Sequence, residues 1–283
     1  MGATLKAANE FRRRASFHGE DTRSGRRRAE SGVHKVARPV GMLRDGSRSD
    51  IVGAALLSGV AGYVDAAGFL ALFGLFTAHV TGDLVAAGTV IAERVTLGMG
   101  IRLLMIPVFM ISVAVASLFA RAIRRRGGNP LTPLLALMTL ALAAFCATGV
   151  TLRSMAREPD AWGVAFIGAT AVIAMAIQNT LMRDALSGLS PTTIMTGNLT
   201  QCTIDLVEIM LPLREGDREQ LRRVRTEASN RLVRFGVPLV GFMVGALLGA
   251  WLTAVYGLFS IALPTVVVGI FTLNVKARSR RFS

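Results

Sequence analysis

The chain has 283 residues, of which 52% are hydrophobic and 18% charged, and it carries a formal net charge of +14. A soluble domain is about 25% charged. Here most charges lie in the first fifty residues and a few short clusters, with long uncharged runs between them. That pattern excludes an ordinary soluble domain and points to a polytopic helical membrane protein. The basic excess does not imply nucleic acid, because the arginines and lysines flank apolar runs, where they set membrane orientation, and no nucleic-acid motif is present.

Residues 1–48 contain no apolar run and no signal-peptide core, and we expect a disordered basic arm on the cytoplasmic side. Its clusters Arg12–Arg14 and Arg26–Arg28 are suited to anionic headgroups. Two other readings stay open: a solvated tail, or a chain whose translation begins at Met42. The rest, 49–283, reads as one transmembrane domain.

Six apolar segments are long enough to cross the ~30 Å hydrocarbon core, which takes about 20 helical residues. They are Ile51–Phe73, Leu103–Ala120, Leu131–Thr151, Trp162–Met182, Phe235–Tyr256 and Leu258–Asn274. Two more, Ala78–Ala92 and Thr192–Leu211, are short or begin with polar residues. If all eight cross, the cluster Arg121, Arg124, Arg125 and Arg126 falls outside, against the positive-inside rule. If the two short segments re-enter from their own side, every basic cluster falls inside, the N- and C-termini are cytoplasmic, and Trp162, Trp251 and Tyr256 reach the outer interface. We therefore expect six transmembrane helices plus two short broken or re-entrant helices. The halves, about 51–126 and 162–283 linked by 127–161, then run in opposite directions as an inverted repeat.

The two short segments share a phrase. Thr81-Gly82-Asp83-Leu84 matches Thr196-Gly197-Asn198-Leu199 at an offset of 115, which also pairs Thr77 with Thr192 and Glu93 with Glu208. Chance matching in apolar sequence is the alternative. Glycine permits a break in regular helix, and Thr and Asx side chains satisfy the amides at a helix start. Two helix starts entering from opposite sides would meet near the midplane and present Thr77, His79, Thr81, Gly82 and Asp83 to Thr192, Thr193, Thr196, Gly197 and Asn198. The plainer reading is helix capping alone.

Asp65 lies about 21 Å along the first helix, where a carboxylate costs about 2.5–3.5 kcal/mol and must be protonated or paired. It reads either as a proton- or cation-coupling group or as one end of a buried hydrogen bond, with Gln178 or Asn179 as partners. Gly241, Gly245 and Gly249 form a small-residue stripe, with Ser112, Ala116 and Ala120 giving another, for packing inside the bundle or against a second subunit. Pro264 is expected to kink the last helix. Cys146 and Cys202 read as packing residues, and three scattered histidines make no metal site.

The run "GYVDAAGFLALFGLFTAHVTGDLVAAG", followed by "SPTTIMTGNLTQ", resembles the YoaK-type bacterial membrane proteins, a domain-of-unknown-function family. The resemblance covers Ile51 to the C-terminus and implies a multi-spanning bacterial inner-membrane protein, without supplying a substrate. Asp83 stands where the family's first phrase more often has Asn.

The function expected is therefore a small-solute secondary transporter or channel, gradient-driven because no nucleotide-binding motif is present. The alternative is a structural or regulatory membrane protein acting through partners. Neither an enzyme nor a cofactor is expected. The expected partners are the lipid bilayer, a small solute or ion, and, in the subunit reading of the glycine stripe, a homo-oligomer.

Overall fold

A computed structural model describes residues 48–92, 98–186, 195–211 and 218–281, which belong to one compact unit, Met42–Ser283. The basic arm lies outside the described residues. Every regular element among them is helical: α1 (Arg48–Ala71), α2 (Val80–Ala92), α3 (Met99–Arg125), α4 (Leu131–Thr151), α5 (Trp162–Asp184), α6 (Met195–Met210), α7 (Arg218–Tyr256) and α8 (Ala262–Arg281). Short 3-10 turns at Arg153–Met155 and Gly257–Ile261 follow α4 and α7.

Five stretches are long and apolar enough to cross a membrane: Ile51–Ala71, Met99–Arg125, Leu131–Thr151, Trp162–Asp184 and Arg218–Ser279. The last holds α7, the 3-10 turn and α8. Helices α2 and α6, of 13 and 16 residues, are about 20 and 24 Å long, short of the hydrocarbon thickness.

Contacts fix the relative direction of the long helices. Ala55, Gly59 and Tyr63 of α1 lie against Gly241, Gly245 and Gly249 of α7, so these two run parallel. Asp160, just before α5, binds the Gly98 amide just before α3, and Asp184 at the end of α5 pairs with Arg124 near the end of α3, so these two also run parallel. Gln178 of α5 reaches the Leu57 carbonyl of α1, while Gly168 lies against Leu75 beyond the end of α1, so α1 and α5 are antiparallel. Thr148 meets Thr170 of α5 near the shared turn, and α4 meets α8 with Thr139 beside Thr272 and Gly149 beside Leu258. Helices α1, α4 and α7 thus point one way and α3, α5 and α8 the other. The ends carrying Arg121, Arg124 and Arg125, Arg222, Arg223 and Arg225, and Lys276 and Arg278 fall at one end of the bundle.

The closest crossing is α1 on α7. A Cβ at Gly241 would stand 2.5 Å from the Ala55 carbonyl oxygen, and Cβ atoms at Gly245 and Gly249 would collide with the carbonyls of Gly59 and Tyr63. Glycines every fourth position on α7, facing the backbone of α1 at Ala55, Gly59 and Tyr63, bring backbone to backbone, where dispersion contacts hold helices that lipid gives no hydrophobic reason to associate. The stripe therefore packs inside the chain. On α3, Ala116 and Ala120 are buried. Helix α5 is the most enclosed span, whereas α3 exposes Met110, Ile111, Val115, Leu118 and Phe119, a surface suited to lipid.

Two expectations are corrected. Pro264 produces no mid-helix kink: it sits in the first turn of α8, where its missing N–H is an orphan donor in any case. The prolines interior to helices are Pro107 and Pro238. Helix α7 starts at Arg218, well before Phe235, because the polar run to Arg234 is rich in good helix formers although it is not apolar.

Gly245→Val should lower stability by about 1–3 kcal/mol through overpacking, read as a lower thermal midpoint in detergent. Gly88→Ala, where nothing lies within 4 Å of an added Cβ, should leave the midpoint unchanged or raise it. Equal effects would mean that the α1–α7 crossing is not tight.

Candidate functional site: a stapled chain reversal beside Asp65

Helix α1 ends in a left-handed turn. Phe73 and Gly74 have φ of 54° and 78°, and the Gly74 amide bonds back to the Phe69 carbonyl. The chain then returns alongside α1, bringing Thr77 against Gly68. This return is not helical, so its amides need partners, and in hydrocarbon an unsatisfied amide costs several kcal/mol.

Asp65 supplies them. Its Oδ1 accepts the amides of Thr77 at 2.7 Å and Ala78 at 2.8 Å, and the Thr77 hydroxyl lies 3.4 Å away. Its Oδ2 stands 2.6 Å from His79 Nδ1. Asp65 is 6% exposed and Thr77 is fully buried, while the His79 side chain is 31% exposed and packs edge-on to Phe242 of α7. The carboxylate thus holds the chain on its approach to α2 from another helix, and it holds an imidazole against the last third of the span Ile51–Ala71.

A second staple lies beside it. Asp83, in the first turn of α2, is fully buried, and its Oδ1 accepts the Phe76 amide at 3.0 Å. Arg102 of α3 reaches that same oxygen at 3.2 Å and donates to the carbonyls of Gly74 and Phe73, each at 2.7 Å. One guanidinium therefore closes the reversal between α1 and α2 and pairs the buried carboxylate. Asp83 Oδ2 has no hydrogen-bond partner among the described residues.

The expected set is thus partly assembled. Asp65, Thr77 and His79 form one cluster, and Asp83 forms the neighbouring one. Asp65 does not bond to Gln178 or Asn179: the reversal brings amides from the same half to it first. Gln178 instead donates to the Leu57 carbonyl and Asn179 to the Met175 carbonyl of its own helix. Neither shared phrase forms a helix cap. Helix α2 begins at Val80 and α6 at Met195, so both phrases lie in the first turn, and before α2 it is Asp65 that takes the amides of Thr77 and Ala78. Thr81 is exposed, and Gly82 sits under the Phe76 ring, where a Cβ would stand 3.0 Å from a ring carbon. On α6, Thr196 and Gly197 are exposed, and Asn198 is buried with its amide 3.9 Å from the Met195 sulfur. Thr192, Thr193 and Glu93 lie outside the described residues.

Three residues were not anticipated. Arg102 reads from sequence as an ordinary flanking charge, although a buried Asp83 requires a cation. Asp205 is fully buried on α6 and bonds to Arg231 of α7 at 2.8 Å and to Gln201 at 3.1 Å, while Glu208 meets the same arginine at 2.7 Å. The spacing of Asp205 and Glu208 on one face of an apolar helix was the available signal. Arg231 has none, being one arginine among many. Each short helix is thus tied by a carboxylate to an arginine on the long helix that follows it.

The family described as "Protein of unknown function (DUF1275)" matches residues 53–274, and the chain belongs to that family. Neither the curated proteins nor the solved structures give a match to the chain.

Arg102→Gln should leave Asp83 buried without its cation and destabilise the fold by about 3–5 kcal/mol. Adding Asp83→Asn should restore a large part of that loss. A double-mutant cycle on thermal stability reads the coupling, and additive effects would show that the pair does not interact.

Proposed function

We propose that this chain is a gradient-driven secondary transporter or channel for a small solute in the bacterial inner membrane, of the YoaK type, and not an enzyme. The observation that carries the reading is the Asp65–His79 pair: a buried carboxylate inside a span, 2.6 Å from an imidazole. With His79 neutral, the pair bears one negative charge; with His79 protonated, it is neutral overall. Taking up one proton therefore removes a net charge from a poorly solvated site, which is what a proton-coupled carrier requires. Capping alone needs an acceptor for two amides, but not a titratable partner.

The proposed membrane arrangement has six crossings, with α2 and α6 entering part-way. The alternation of helix directions supports six crossings, since eight would make α1 parallel to α5 and α4 parallel to α8. It also supports an inverted repeat: α1, α2 and α3 correspond to α5, α6 and α7 with direction reversed, and parallel α1–α7 corresponds to parallel α5–α3. His79, at the start of α2, touches Phe242. Cys202 packs near Gly236 and Asp205 binds Arg231, so α6 runs antiparallel to α7. Its start, about 10 Å up from Cys202, comes near the same level as Phe242. Two half-crossing starts at one depth are the arrangement expected of a midplane solute site. Gathering the basic ends on one side is the reason to place both termini in the cytoplasm.

Asp65→Asn keeps an oxygen for the Thr77 and Ala78 amides but cannot carry the charge. Proteoliposomes bearing it should lose solute-driven proton uptake, followed with an internal pH dye across a solute panel, while the protein keeps its thermal midpoint. Unchanged uptake would remove Asp65 from coupling. Absence of flux from the unsubstituted protein, together with a co-purifying partner, would favour the structural or regulatory alternative.

Single cysteines at Arg125 and Arg157, in a background lacking Cys146 and Cys202, test the arrangement. Membrane-impermeant maleimide should label position 157 from outside the cell, and position 125 only after the membrane is opened. Labelling of position 125 from outside would restore eight crossings.

A further inference from the structure

At the bundle end opposite the basic clusters lies a cleft of about 760 Å³ between the ends of α1, α4 and α7 and the start of α5. That volume is within the ~300–1,000 Å³ typical of small-molecule sites. Arg153 and Arg157 line it, and no carboxylate does. Both arginines are exposed, and neither forms a salt bridge among the described residues. Arg153 rests against the turn after α7, where Gly257 adopts φ +62° and a Cβ would stand in ordinary contact, 3.6 Å from Nη1.

Beneath the arginines the lining changes character. Leu72, Ile167 and Leu258 supply apolar wall. Thr253, also in the lining, is buried and lies 2.9 Å from the Ser260 hydroxyl, and the Ser260 carbonyl accepts the Tyr63 hydroxyl at 3.0 Å. Tyr63 precedes Asp65 by two residues on α1. A polar chain thus leads from the cleft to α1, where it ends at Tyr63, on another face from Asp65.

We propose that this cleft is the entry site for a small organic anion, with one acidic group (carboxylate or phosphate) and a short apolar body. Glu158 and Asp160 share the loop but stay out of the lining, so the two unpaired guanidinium groups set a locally positive field in the cleft, and their forked donors match a carboxylate or phosphate in geometry. The apolar wall takes the body of the ligand, and the Thr253 hydroxyl orients it. An acidic group that enters with a proton taken up at Asp65–His79 crosses without net charge, so anion and proton are complementary cargoes. The inference names the substrate class for the proposed transporter and rests on that reading for the route, though not for the binding. The shared chemistry also belongs to lipid phosphate, and the experiment separates the two sources.

The test uses the full chain in nanodiscs of phosphatidylcholine alone, with benzoate and phenyl phosphate as probes and benzyl alcohol and benzylammonium as neutral and cationic counterparts. The anions should raise the thermal midpoint saturably and the counterparts should not. Arg153→Gln/Arg157→Gln should weaken anion binding at least tenfold with the ligand-free midpoint kept, and Arg125→Gln should bind as the unsubstituted protein does. Asp65→Asn should also retain binding, so lost transport with retained binding separates failure at the coupling pair from failure at the cleft. No shift with either anion, or a shift that survives loss of both arginines, overturns the proposal. So does stabilisation seen only when phosphatidylglycerol is added to the discs and abolished in the double variant, which would assign the arginines to a headgroup.

Discussion

A buried backbone that leaves helix must find new partners for the amides it frees, and Asp65 is the answer this chain provides. Water is not there to take them. The cheapest source is a side chain already at that depth, and a carboxylate accepts several donors at once. Asp65 takes two amides with one oxygen and an imidazole with the other. Its own insertion cost is offset by those donors, so neither the carboxylate nor the returning chain is stable there without the other. Arg102 performs the complementary task at the far side of the reversal, covering two carbonyls and one buried carboxylate. Acceptors and donors of the break are thus satisfied by opposite charges on two different helices.

That arrangement depends on α1 being held rigidly. The α1–α7 crossing does this with backbone, not with bulky side chains. Carbonyls of Ala55, Gly59 and Tyr63 lie where Cβ atoms of Gly241, Gly245 and Gly249 would be. Close backbone approach fixes rotation and register together, because a shift of either helix by one residue would place a side chain in the contact. Phe242, between two of these glycines, is then correctly placed to flank His79. The packing stripe and the polar cluster are therefore two faces of one registration.

Much of this was legible in the sequence, because the bilayer imposes strong rules. Leu131–Thr151 and the start at Trp162 are visible as apolar runs with polar ends, and Asp65 stands out as a charge that hydrocarbon penalises. Thr77 and His79 follow because a broken segment needs polar groups. The pairings were not legible. Gln178 sits near Asp65 in the repeat alignment, but whether it meets Asp65 depends on how far the chain turns back after Gly74, and a left-handed residue such as Phe73 carries no sequence signature. Arg102 and Arg231 were hidden for a different reason: arginine is expected at helix ends for orientation, so an arginine with a specific carboxylate looks like any other. The start of α7 was missed because apolarity marks where a helix is in lipid, not where it begins.

Residues paired by the repeated phrase differ in chemistry. At the offset of 115, Asp65 corresponds to Thr180, whose hydroxyl bonds to the Ala176 carbonyl of its own helix and reaches across to nothing else among the described residues. Asp83 corresponds to Asn198, which is buried but carries no charge. The charged tie of the second half, Asp205 with Arg231, sits near the level at which α1 begins, not in mid-span. A symmetric pair of half-crossing helices would offer a proton two equivalent sites. Here the buried carboxylate–imidazole pair belongs to the first of the two paired segments, and the positions that match Asp65 and Asp83 at the offset carry neutral hydrogen-bonding groups. On the transporter reading, the first half is then the one that senses protons.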